Sequence, residues 1–310
     1  MAPFDSSSVR VAPEVRDALS TGRGVVALET TLLVHGLPAE DAEDVGARLE
    51  ALVRAHGAVP ATVGVVHGEP VVGLSEGEIR RLIAARDTVR KLSTRDLGFA
   101  MAAGLDGATT VAATISLAAT AGVEVMATGG LGGVHLGAKD TFDESADLVA
   151  LSRTPVLVVA SGVKSILDVA ATLERLDTLG VAVAGYRTTR FPGFYVADSG
   201  QPVGWTIQDA PGAARAFLAH RAVASTGMLL ANPVPAAHEM DPALHRRVLD
   251  EGLWSAGDQG VAGPDVTPFL LAHFAAETGG TSVAANVALV LDNAALAADV
   301  AVALASSPAV

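Results

Sequence analysis

The sequence predicts an α/β fold: a three-layer α/β/α sandwich on a mainly parallel central sheet, as a single domain over residues 1–310. Three observations predict it. Short β-branched runs alternate with stretches of helical period, a pattern that puts a helix between successive strands and covers both faces of the sheet. Half of the residues are hydrophobic and only 4% aromatic, so a large core of Val, Leu and Ala is available and disorder is excluded as the main state. No linker, composition break or internal repeat cuts the 310 residues, a length that suits one large domain. Residues 1–10 read as a disordered N-terminal tail.

Taken in order, Gly24–Leu28 is a buried strand. Ala39–His56 is a helix: acids gather in its first turn, Val45, Leu49, Leu52 and Val53 make its apolar stripe, and Gly57 stops it. Ala61–Val66 and Val71–Leu74, joined by His67-Gly68-Glu69-Pro70, form a hairpin. Ser75–Arg86 is helical and Thr88–Leu92 extended. Val123–Ala127, Pro155–Ala160, Val181–Tyr186 and Met228–Ala231 are the later strands, most of them separated by helical segments. From Asp241 the pattern is helical, most clearly over Thr267–Glu277 and Ser282–Leu304.

Composition excludes several classes. The 32 glycines follow no fixed period, which rules out a fibrous protein. Cysteine is absent, and with it disulfides, thiolate zinc sites and cysteine nucleophiles. With 21 basic against 34 acidic residues the formal charge is −13, the wrong sign for a surface that binds nucleic acid. A local basic pocket around one phosphate is still compatible with that balance. Mean hydropathy is +0.42, yet the uncharged run Gly107–Val123 stops short of the roughly 20 apolar residues that a membrane span needs. The N-terminus carries an acid where a signal peptide carries basic residues, and no apolar segment follows. The chain reads as soluble and cytoplasmic.

In open α/β sheets ligands gather beyond the carboxyl ends of the strands, so the residues that follow each strand are the place to look. They are Glu29-Thr30-Thr31, Lys91, the turn from Thr128 to His135, Ser161-Gly162-Val163-Lys164 and Asn232. An acid, two lysines, a glycine-rich turn and an amide thus converge on one rim. Each also has a structural reading. Glu29 is a ligand-facing acid or a helix cap. The turn Thr128-Gly129-Gly130-Leu131-Gly132-Gly133 can cradle a phosphate on its backbone N–H groups, but it lacks the Lys-Ser/Thr ending of a P-loop and the spacing of a dinucleotide fold. His135 is a phosphate or substrate contact, or an ordinary hydrogen-bonded histidine. Asp140, Asp143, Glu144 and Asp147 make either an acidic first turn for the helix toward Leu151 or a hard-cation site suited to magnesium or manganese.

Lysine is the scarce residue. Of the 21 basic residues 18 are arginine, and the lysines are Lys91, Lys139 and Lys164. Arginine stays protonated and cannot act as an amine nucleophile, whereas a buried lysine can. Lys164 follows the strand Pro155–Ala160 and is expected in the first turn of a helix striped by Ile166, Val169, Leu173 and Leu176. There the helix dipole and burial both favour the neutral amine that imine chemistry requires.

These motifs resemble the pseudouridine-5′-phosphate glycosidases, the indigoidine synthase A-like family. The resemblance runs from about Val11 to the final helix. Its carriers are Ala27-Leu28-Glu29-Thr30-Thr31, His35-Gly36-Leu37-Pro38, Lys91-Leu92-Ser93 and Gly107-Ala108-Thr109-Thr110-Val111. Further on come Ala127 to His135, Thr141-Phe142-Asp143, Ser145-Ala146-Asp147-Leu148, Gly162 to Asp168, Ala231-Asn232-Pro233-Val234-Pro235 and Thr267 to Leu271. It implies a cytoplasmic, homotrimeric, manganese-dependent α/β/α enzyme, a single catalytic domain that cleaves the C–C glycosidic bond of pseudouridine 5′-phosphate to uracil and ribose 5-phosphate, reversibly. By matched position Lys164 is the nucleophile on ribose C1′ and Glu29 the proton donor. Asp143 holds one Mn2+. Lys91, Val111, Ser145, Ala146 and Asp147 contact substrate, Thr128 and His135 join them, and Asn286 reads the uracil.

Some positions depart from the family pattern: Thr30 stands where Ser is common, Thr94 and Leu136 where Arg is, Glu144 where an apolar residue is, and Ala236 where an acid is. None removes a catalytic group, though two basic residues near the pocket are lost. The chemistry suits a carbon-linked base, because a lysine that becomes an imine supplies the electron sink that two carboxylates lack. Two other classes share parts of this pattern: another imine-forming sugar-phosphate lyase or aldolase, and a non-catalytic nucleotide-binding protein.

Overall fold

The structure, a computed structural model, describes residues 8–261 and 266–307, apart from the side chain of Pro268. Strand β1 (Arg10–Val11) and helix α1 (Pro13–Ser20) lead into β2 (Val25–Glu29). After a π-helical turn at Leu32–Gly36 come α2 (Ala39–Ala55), β3 (Val59–Val66), β4 (Glu69–Val72), α3 (Glu76–Ala84), β5 (Arg90–Leu92), α4 (Leu97–Ala102), β6 (Gly107–Thr109) and α5 (Val111–Thr120). The middle runs through β7 (Val125–Ala127), β8 (Val134–His135), α6 (Ala138–Thr141), α7 (Ala146–Leu151), β9 (Leu157–Ala160), β10 (Leu167–Asp168) and α8 (Val169–Thr178). Then follow β11 (Ala182–Tyr186), β12 (Thr206–Ile207), α9 (Ala210–Val223), β13 (Met228–Ala231), α10 (Pro242–Asp258), α11 (Val266–Glu277) and α12 (Thr281–Ala305).

The main sheet has the order β1-β4-β3-β2-β7-β9-β13-β11-β12, with β6 and β5 added beside β3. From β3 through β2 to β12 every pairing is parallel, while β3 meets β4 and β6 antiparallel. This is the mainly parallel, helix-covered sheet that the alternation predicts. α5 packs over β2, β3 and β4, and α12 packs over β2, β7 and β9. The central strands are buried on both faces, which is why they read as unbroken aliphatic runs. Register then does the positioning. Leu28 lies beside Ala127, Ala127 beside Val159, and Ala160 beside Ala231. The parallel strands therefore end together, and Glu29, Thr128, Ser161 and Asn232 emerge on one rim.

Three expectations change. Lys164 is not in a helix: residues Leu167–Asp168 pair antiparallel with Val134–His135 in a small second sheet, and α8 begins only at Val169, with Asp168 capping it through the Ala171 N–H at 2.9 Å. The helix dipole consequently has no part in Lys164 chemistry. Of the expected tail, Arg10 belongs to the fold, pairing with Val71 and bridging Glu69 and Glu78 with its guanidinium; residues 1–7 lie outside the described residues. Finally, α12 is long and apolar enough to cross a membrane, by length and composition. It is instead a core helix: Ala285, Leu289, Val290, Ala294 and Ala297 are buried in the fold.

Candidate active site

Glu29 is the last residue of β2 and the only acid on that strand. It is 7% exposed, and its Oε1 accepts a short hydrogen bond from the Thr128 hydroxyl at the end of β7. Burial pushes its carboxyl above the ordinary carboxylate range; the Lys164 charge and the Thr128 hydroxyl pull the other way without reversing it. The site thus favours a neutral acid with a proton to give. Thr30, one residue on, faces inward. It donates to the Val63 carbonyl at 2.9 Å and accepts from the Thr109 N–H at 2.8 Å, tying β2 to β3 and β6. A hydroxyl is what this position needs, so threonine in place of serine leaves the rim intact.

Lys164 reaches the same rim from β9. Gly162 takes a φ of +74°, and a Cβ there would stand 2.0 Å from the Pro192 carbonyl oxygen, so only glycine allows the chain to turn. The adjoining glycine-rich turn serves as a tight wall more than as a phosphate cradle. The N–H groups of Thr128, Leu131, Gly132 and Val134 are already given to Val159, Gly162, Asp147 and Thr172. A Cβ on Gly130 would stand 2.6 Å from the Phe194 ring, and one on Gly132 2.3 Å from the Ser145 hydroxyl. Asn232, the amide on the rim, is structural: it donates to Asp292 and to Asn293, and Asn293 donates to the Thr128 carbonyl at 2.8 Å.

Two cavities meet at Glu29 and Lys164. The outer one is polar, lined by Lys91, Arg95, Val111, His135, Asp143, Ser145, Ala146 and Asp147 among others. Here the structure brings together most of the predicted substrate contacts. Val111 opens α5 beneath its Thr110 cap, and Ser145 caps α7 by accepting the Asp147 N–H. Asp147 is buried with both oxygens engaged, by the N–H groups of Ala112 at 2.8 Å and Gly132 at 2.9 Å. It shapes the pocket by holding α5 to the glycine turn. Lys139, the third lysine, is exposed on the neighbouring short helix and lines neither cavity.

Of the four acids in this loop, Asp140 is exposed and lines neither cavity, and one of the three that line the outer cavity has a carboxylate to spare. Glu144 pairs with Arg175 at 2.8 Å and Asp147 is committed, while Asp143 is partly exposed with its Oδ2 3.8 Å from His135 Nδ1. Burial lowers the His135 pKa against the pull of Asp143, with Lys91 and Lys164 lowering it further, which keeps the ring neutral. Among the described residues no three acids or histidines converge. This donor set fits a hard divalent cation that is held by one carboxylate and keeps most of its waters.

The inner cavity is narrow and mostly apolar, walled by Leu32, Gly36, Gly129, Gly130, Phe194 and Leu271, and Asn286 enters it from α12. Asn286 is 5% exposed, and its Oδ1 has no hydrogen-bond partner. A buried amide acceptor left open is costly in a fold with nothing to offer it. Sequence reasoning assigned no role to Thr31, Leu32, Phe194, Thr267 or Leu271. Phe194 holds a φ of +65°, a strained conformation for a phenylalanine that no composition signal reveals. Thr31, Thr267 and Leu271 were marked only by their motifs or by following a strand, and Leu32, which lies between two motifs, was not marked at all. A wide groove of about 790 Å³ between α2 and α12 lies apart from this chemistry.

A parallel α/β sheet with a buried acid and a lysine at the joint of a polar and an apolar cavity has the layout of an enzyme site. The indigoidine synthase A-like protein family matches residues 14–303, and the chain belongs to that family. It is 55% identical to the pseudouridine-5′-phosphate glycosidase of Salinispora tropica, covering 97% of this chain and 93% of that protein. It is 52% identical to the protein of the same name from Chloroflexus aurantiacus, over 95% and 98%. Among solved structures it is similar to the prealnumycin C-glycosynthase AlnA in complex with ribulose 5-phosphate, at TM-score 0.89, 38% identity and 96% and 97% coverage. An indigoidine synthase A-like protein of Thermotoga maritima superposes at TM-score 0.88, with 35% identity over 98% and 99% of the two chains.

Proposed function

We propose that this chain is a pseudouridine-5′-phosphate glycosidase, which reversibly cleaves the C–C glycosidic bond of pseudouridine 5′-phosphate to uracil and ribose 5-phosphate. The observation that carries the reading is the placement of Glu29 and Lys164 at the joint between the two cavities. The names of the relatives support it. The sugar phosphate takes the outer cavity, where Lys91, Val111, Ser145 and Ala146 face it, and the base takes the inner one beside Thr128 and Asn286.

In this reading the Lys164 nitrogen bonds C1′ as the C1′–O4′ bond breaks and O4′ takes a proton, which opens the sugar. Glu29 gives its proton to C5 of the base. The nitrogen lone pair then forms the iminium as the C1′–C5 bond breaks and uracil leaves. Water hydrolyses the iminium, releasing ribose 5-phosphate and restoring Lys164. Asp143, with His135 beside it, would hold Mn2+ among waters, and the bound ion would offset the negative charge of the sugar phosphate. The same proposal includes a homotrimer in the cytoplasm, with the oligomer checked by analytical ultracentrifugation.

The deciding experiment follows uracil release from pseudouridine 5′-phosphate, with ribose 5-phosphate measured in parallel. Both products in equal amounts are expected; neither product would end the reading. A second reading, C-glycoside synthesis on another pentose phosphate, is favoured by the likeness to AlnA. In that case condensation with ribulose 5-phosphate would outrun uracil release.

A further inference from the structure

Among the described residues lining the inner cavity, two buried side-chain atoms have no hydrogen-bond partner: Oδ1 of Asn286 and Nε2 of His35. Asn286 already has a role in the reading above, whereas His35 has none. It stands on the π-helical turn Leu32–Gly36, directly after Glu29-Thr30-Thr31, and such turns concentrate at functional sites. The Val89 backbone carbonyl favours a proton on the ring, and Nε2, buried with no partner, is placed to accept. Burial first, then the charges of Lys91 and Arg86, favour the neutral ring over the imidazolium, so Nε2 remains an acceptor.

We propose that His35 accepts a ring N–H of the base, so that His35 and Asn286 together match the two N–H groups of a carbon-linked uracil. This inference rests on the inner cavity being the uracil site. A base joined to the sugar through C5 keeps both N1–H and N3–H, whereas a base joined through N1 has lost one of them. Two acceptors in one apolar pocket therefore select the carbon-linked base, because the nitrogen-linked one leaves an acceptor buried and unmet. Asn286 adds a donor for a ring carbonyl. His35 is a specificity-determining residue here and moves no proton.

The test uses the synthetic direction, with borohydride trapping of ribose 5-phosphate on Lys164 as an independent reading of the outer cavity. His35→Leu should raise the KM for uracil about tenfold, the order of one hydrogen bond lost to a buried group, and leave trapping unchanged. His35→Gln, which restores an acceptor, should recover most of that loss. An unchanged KM for uracil in a His35→Leu protein that still traps sugar overturns the assignment, as does a glutamine variant no better than the leucine one. The unmodified protein gives a check that depends on no variant: 1-methyluracil and 3-methyluracil should each compete with uracil at least about tenfold more weakly than unlabelled uracil does. Either methylated base competing as well as uracil overturns the proposal. Failure of the functional reading is seen separately, as no uracil released from pseudouridine 5′-phosphate.

Discussion

The outer and inner cavities share Glu29, Thr31, Lys91, Lys164 and Thr267, and beyond that joint their walls are of opposite kinds. The outer wall is hydroxyl and carboxylate, much of it already hydrogen-bonded into the fold, as at Ser145 and Asp147. The inner wall is glycine, leucine and the Phe194 ring, with two acceptors left open. A polar wall keeps water and ions beside a charged sugar phosphate. An apolar wall excludes water, and each polar atom placed there counts for more because nothing else satisfies it. The difference teaches that the acid and the lysine sit where the two kinds of wall meet, the acid buried and the lysine open to both sides, which is where the proposed function puts the bond to be broken.

Variants at the joint should have the largest effects. Lys164→Arg keeps the charge but has no amine able to attack carbon, and turnover should fall by roughly 10³-fold or more with the fold retained. Uracil release and borohydride trapping both read it, and appreciable turnover by this variant would end the imine route. Glu29→Gln should cost roughly 10²–10⁴-fold in cleavage, since the proton donor is lost while the shape is kept. The raised Glu29 pKa carries a sign: the acid must be protonated, so cleavage should fall at the alkaline side as Glu29 ionises, and burial moves that limb upward. Thr128→Val removes a donor that favours the charged form, so the limb should move to still higher pH. A limb that moves down would show that Glu29 does not set it.

Next come changes confined to one side. Asn286→Ala should raise the KM for uracil about tenfold and leave ribose 5-phosphate trapping as it was; equal damage to both would break the division into base and sugar sides. Lys91→Arg, on the outer side, should keep measurable turnover and weaken sugar-phosphate binding by roughly three- to tenfold, because arginine preserves charge and hydrogen-bond donors. Smallest is the expected effect of Asp143→Asn on catalysis at saturating Mn2+. It should raise the Mn2+ concentration needed for half-maximal activity, and activity untouched by chelators would make the metal incidental.

Much of this molecule was legible from local chemistry. The aliphatic runs at Val25–Leu28, Leu157–Ala160 and Met228–Ala231 could only be buried strands, because a strand covered on both faces has no polar side to show. Helix Ala39–Ala55 was marked by its stripe and its glycine stop, and Glu29 and Lys164 by following strands whose ends a parallel sheet aligns. The setting of Lys164 was not legible. Its apolar spacing fits a helix, but the pairing of Leu167–Asp168 with Val134–His135, distant in sequence, takes those residues into a strand. For the same reason the glycine turn looked like a phosphate loop until its N–H groups were found given to Asp147, Thr172 and Gly162. Composition and period determined the strands, the helices and the residues able to do chemistry, since those depend on neighbours along the chain. Only the tertiary structure decided which acids are spent on backbone amides, that His35 and Asn286 face one cavity, and that Phe194 closes it, because each depends on contacts across the fold that no local pattern encodes.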